Sequence, residues 1–124
     1  MMHLKAIGET LVAHCNAGTG REALNTLYAE NAVSVEPTAM DEGGSAVTEG
    51  LAGINGKHDW WDNAMETHAF TADGPYPHGD DRFAVIFEAD VTDKEKDQRF
   101  QFKEVAVYTV ADGKIVKEEF FFSM

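Results

Sequence analysis

Little in this chain of 124 residues would staple it, hold it in a membrane or draw it to a polyanion. Its one cysteine, Cys15, has no partner for an internal disulfide, and no paired-cysteine spacing suggests structural zinc. No apolar run approaches the roughly 18 residues of a membrane span. Basic residues are few, with ten Lys and Arg against 22 Asp and Glu. The resulting net charge of −12 repels phosphate backbones and anionic membrane surfaces. Neither nucleic acid nor a membrane is therefore expected as a partner. Serine-hydrolase elbows, glycine-rich phosphate loops and internal repeats are also missing. Met1 to Lys5 lacks a charged segment leading into an apolar run, so no export signal is visible and a soluble, cytoplasmic protein is expected.

What is present suits one domain spanning 1–124, with 44% hydrophobic residues to build a continuous core. Leu4, Ile7, Leu11, Val12 and Cys15 recur at helical spacing, and Gly18 suits a left-handed cap. Cys15 falls on the buried face of this helix, where it packs rather than reacts. Thr19 to Glu22 reads as a capping box opening a second helix, with Leu24, Leu27 and Tyr28 on its apolar face. A strand follows over Ala32 to Glu36, stopped by Pro37, then a polar loop from Thr38 to Ser45 and a short strand at Ala46 to Thr48. Leu51, Ile54, His58, Trp61 and Met65 form one stripe of a third helix.

The period then changes to two. Phe83, Val85, Phe87, Ala89 and Val91 share one strand face; Phe100, Phe102, Glu104, Ala106 and Tyr108 share a face of the next strand. Asp112-Gly113 marks a hairpin into a last strand from Ile115 to Phe122. This order predicts an α+β domain. Strands apolar on both faces need helices on one side and a second copy of the chain on the other, so a homodimer through the sheet is expected.

The runs Asn16-Ala17-Gly18, Leu27 to Val33, Val35-Glu36-Pro37, Glu104 to Val110, Asp112 to Ile115 and Glu119-Phe120-Phe121 resemble SnoaL-like and ketosteroid-isomerase-like members of the nuclear transport factor 2-like superfamily. The resemblance covers nearly the whole chain. It implies a cone in which three N-terminal helices pack on a curved, mostly antiparallel sheet around one apolar pocket. It also puts the proton-carrying carboxylate of the ketosteroid-isomerase-like members at Glu36. Leu11 and Val105 or Ala106 occupy the places where those enzymes carry a tyrosine and an aspartate, so ketosteroid isomerisation itself is not implied.

Three residues are the catalytic candidates. Glu36, at the rim of an apolar cavity, can accept and return a proton; its plainer reading is a solvated carboxylate at a strand end. Glu104 breaks an otherwise apolar face and can act as a second acid or orient a histidine, or else form a structural salt bridge. His58 sits in the middle of the third helix's stripe, either as an acid, base or electrophile or as a satisfied core histidine. The expected pocket wall comprises Leu11, His14, Trp61, Met65, Phe102, Tyr108, Glu118, Phe120 and Phe122. His58 with Asp62, and His78 near Asp80 and Asp81, make no complete ligand set, so no metal or cofactor is expected. The function that fits is a cofactor-free acid/base isomerase, cyclase or dehydratase acting on an apolar carbonyl compound. The alternative is a non-catalytic module that binds a hydrophobic ligand or assembles with other chains. Periodicity does not name the substrate.

Overall fold

The computed structural model describes residues 3–37 and 45–121. Helix α1, Leu4–Ala17, buries Ile7 and Leu11 and ends at Gly18, whose φ of 77° is the expected left-handed cap. Helix α2, Gly20–Leu27, buries Ala23, Leu24 and Leu27. The capping box does not form. The Thr19 hydroxyl turns back to α1, donating to the His14 carbonyl at 3.2 Å and bonding His14 Nδ1 at 2.7 Å, so it has no reach left for the α2 amides.

Tyr28 is not the end of the helix face but the first residue of β1, Tyr28–Val35, which starts four residues earlier than its β-branched stretch suggests. Its backbone is extended and pairs with Ile115. Strand β2, Val47–Glu49, lies beside β1, and helix α3, Leu51–Ala64, follows. Met65, expected on the helical stripe, instead opens β3, Met65–His78. The period of the sequence conceals this strand. Only Ala72 within it is buried, and the register shifts between Thr67 and Ala69 and again between Asp73 and Tyr76, so no apolar alternation survives. Strands β4, Arg82–Asp93, β5, Gln98–Ala111, and β6, Lys114–Phe121, form the expected meander. Asp112 and Gly113 both take positive φ, 52° and 75°, as a tight hairpin requires.

The six strands lie in the order β2-β1-β6-β5-β4-β3, antiparallel except where β1 runs parallel to β6. Pairing fixes the faces. Phe83 opposes Tyr108, Val85 opposes Ala106 and Phe87 opposes Glu104, while Tyr108 opposes Glu118 and Glu118 opposes Ser34. All of these point to the face that Ile7, Leu11, Leu24 and Ile54 cover, forming one core between helices and sheet. The expected cone of three helices on a curved, mostly antiparallel sheet is the fold observed. On the opposite face, Ile86, Val105 and Phe121 form a row across β4, β5 and β6, with Val105 37% and Phe121 52% exposed.

Candidate functional site

Strand alternation brings Ser34 of β1, Glu118 of β6 and Tyr108 of β5 into one row beneath the helices. Glu118, only 4% exposed, accepts a hydrogen bond from the Tyr28 hydroxyl at 2.6 Å, and Ser34 stands opposite it in the strand register. Tyr108 stands opposite Glu118 and stacks on Phe83, with ring centroids 5.1 Å apart. Above the row stands Lys57 of α3. Its Nζ donates to Ser34 Oγ and to Glu36 Oε1, both at 2.7 Å, and lies 5.5 Å from the centre of the Phe120 ring. Polar side chains thus line up from Glu36 through Lys57 and Ser34 to the Tyr28–Glu118 pair and Tyr108. Every buried side-chain nitrogen and oxygen among the described residues has a partner.

Burial among apolar walls and the nearby charges of Glu36 and Glu118 push the Glu104 carboxyl up to about 7, with Lys57 opposing them. Burial also raises Glu118, against the hydrogen bond from Tyr28 and the charge of Lys57. The phenols of Tyr28 and Tyr108 are held well above their ordinary value by burial and then by the Glu118 charge. The same two influences lift the Cys15 thiol to about 11, which leaves it protonated and inert.

Glu36 and Glu104 therefore share one electrostatic neighbourhood, centred on Lys57. His58, next to Lys57 on α3, also feels its charge, but Arg21 bears on it more strongly. Burial lowers its pKa, followed by the positive charge of Arg21, a residue that bonds Asp59 and Asp62 at 3.0 Å each and ties α2 to α3. Trp61 meets Phe102 edge to face at 5.9 Å and extends the apolar wall beside Glu104. Leu11 is core, Met65 lies half-buried at the start of β3, and Phe122 falls outside the described residues. His14 lines a shallow surface depression with Glu9, Thr10, Ala13, Ala17 and Thr19. A second depression is bordered by Glu30, Asn31, Val33, Glu49 and Gly50, and neither touches Glu36, Glu104 or His58. Among the described residues no group of three or more His, Cys, Asp or Glu is placed to hold a metal ion.

Sequence reasoning passed over Lys57, Ser34 and Tyr28. Two of them carried a signal: Lys57 is three residues beyond Ile54, the buried residue of α3, and Ser34 alternates with Ala32 and Glu36.

The SnoaL-like domain family matches residues 7–122. A proposed SnoaL-like polyketide cyclase of Mesorhizobium loti is 34% identical, with a TM-score of 0.89 over 98% of this chain and 100% of that one. A proposed isomerase of Bacillus subtilis is 23% identical with a TM-score of 0.73, over 93% of this chain and 82% of its own. TerC, co-crystallised with polyporic acid, is 20% identical with a TM-score of 0.69, over 90% and 85% respectively. No curated protein matches the sequence at a significant level.

Proposed function

Because the chain belongs to the SnoaL-like domain family, we propose that it is a cofactor-free acid/base enzyme: an isomerase, cyclase or dehydratase that moves a proton next to a carbonyl group in a small apolar molecule. The observation that carries this reading is Glu104. A carboxyl held at about 7 beside Trp61 and Phe102 is part base and part acid at neutral pH, the condition for taking a proton from carbon and returning it. Glu36, the carboxylate to which the sequence points first, is engaged by Lys57. We therefore assign the proton to Glu104, with Glu36 as the second carboxylate. Neither His58, which stands by Arg21, nor Tyr108, which is buried and stacked on Phe83, is assigned as the donor to the carbonyl oxygen. The likeness to a proposed polyketide cyclase and a proposed isomerase supports carbonyl chemistry of this kind.

The test is exchange of the α-protons of 2-tetralone, a plain apolar ketone, followed by NMR in deuterated buffer. The protein should accelerate exchange with a rate that climbs through about pH 7, and Glu104→Gln should lower it by about 100-fold or more. An unchanged rate in Glu104→Gln sinks the assignment. The packed rings of Trp61, Phe102 and Phe100 favour a second reading, in which the protein holds a hydrophobic ligand without changing it. Binding of 2-tetralone without exchange would select that one.

The row Ile86, Val105 and Phe121 supports a homodimer through the outer sheet face, to be checked by sedimentation of the protein and of Val105→Lys, which should be monomeric. No described helix is long and apolar enough to cross a membrane. A cytoplasmic location suits the single, unpaired, half-buried thiol of Cys15.

A further inference from the structure

A lysine ammonium carries three N–H donors and no acceptor. In Lys57 two of them are used within the protein, on Ser34 Oγ and Glu36 Oε1, and the third has no acceptor among the described residues. The group is neither sealed nor adrift. Its side chain is 22% exposed, with the ring of Phe120 at 5.5 Å. Its direction is set from below, where it bonds Ser34, which stands in register with Glu118, itself held by Tyr28.

We propose that Lys57 is the binding site for an enolate or phenolate oxygen of the ligand, with Glu36 as a counter-ion that the ligand oxygen partly replaces. The surrounding charge selects this class over a carboxylic acid. Glu36, Glu104 and Glu118 all bear on this end of the fold, so a permanently ionised ligand meets repulsion that one ammonium does not offset. A weakly acidic enol or phenol enters neutral. Its O–H proton passes to the Glu104 carboxylate, the O–H bond breaking as the carboxyl O–H forms, and the ligand oxyanion remains against the Lys57 ammonium. Charge is conserved, and no co-reactant is needed. The inference rests on Glu104 exchanging protons, as proposed above, but not on any turnover.

The probe is 4-nitrophenol, whose near-visible absorbance distinguishes anion from neutral phenol. It is titrated at about pH 7, where about half of Glu104 is ionised and able to take the proton, and at roughly 0.15 M salt, where repulsion from the acidic surface is largely screened. The wild-type protein should bind it as the anion and bind benzoate more weakly. Lys57→Arg should keep anion binding, whereas Lys57→Met should weaken it at least 10-fold. Glu36→Gln provides the sharper sign: freeing the ammonium from its counter-ion should tighten binding several-fold, which a merely structural Glu36 would not do. The double variant Glu36→Gln/Lys57→Met leaves no unpaired charge behind, so its fold is easier to keep, and it should still fail to bind the anion. Absence of wild-type binding, anion binding that survives Lys57→Met, or weaker binding in Glu36→Gln overturns the proposal. If 2-tetralone exchange is absent while nitrophenolate binds through Lys57, the catalytic reading falls and this one stands.

Discussion

The ionisation of Glu104 runs against burial and two like charges, with Lys57 alone helping it, and this has a thermodynamic consequence. Its pKa is raised in the folded state, from 4.5 to about 7, so the folded protein binds the proton more tightly than the unfolded chain does. The stability linked to this group is complete below about 4.5 and is lost as the pH rises through about 7. Glu104→Gln should therefore leave stability near its wild-type value at about pH 4 and raise it at about pH 8, by up to ~3 kcal/mol. Denaturation in urea at both pH values checks this. Tyr28→Phe has the opposite expectation. It removes the donor at 2.6 Å from a carboxyl that is only 4% exposed and should destabilise the fold by about 1–3 kcal/mol. Glu104 was legible because a lone carboxylate interrupts a run of aromatic and small residues on one strand face. Lys57 was not, since a lysine in a helix ordinarily reads as solvated. Only the partner strand, carrying Ser34 and Glu36, turns it inward.

Helix α1 approaches β3 closely at Gly8, where a Cβ would stand 2.7 Å from the Cβ of Pro75 and 2.9 Å from its Cγ. Gly8→Ala should thus cost about 1–3 kcal/mol by overpacking despite alanine's better helix propensity, a sign that thermal melting can read. The helices and the three meander strands could be read from the sequence because each shows one clean period. β3 could not, because its two irregularities reset the alternation and its side chains mostly face water. The capping box failed for a related reason. The motif describes Thr19 and Glu22, but the hydroxyl found its partner in His14 of the preceding helix, one turn before the Gly18 stop.

For the whole molecule, net charge outweighs individual pairs. The exposed ion pairs of Arg21 with Asp59 and Asp62, and of Arg99 with Asp90, contribute little, and salt weakens them. A net charge of −12 repels itself, and the same salt relieves that. The melting temperature should accordingly rise between about 10 mM and 150 mM NaCl; a fall would show that the pairs dominate. Fold class and cone were legible at this scale because they follow from element order and resemblance. The meeting of Glu36 with Lys57 was not, because it depends on how α3 sits across β1.

The parallel pairing of β1 with β6 also sets a timetable. Tyr28 and Glu118 are separated by 90 residues, and Ser34 and Lys57 by 23. A chain emerging from the ribosome exposes Tyr28 long before the glutamate that accepts its hydrogen bond exists. The buried pair of Tyr28 and Glu118 therefore forms only once the last strand is in place. It arises in one late, long-range closure.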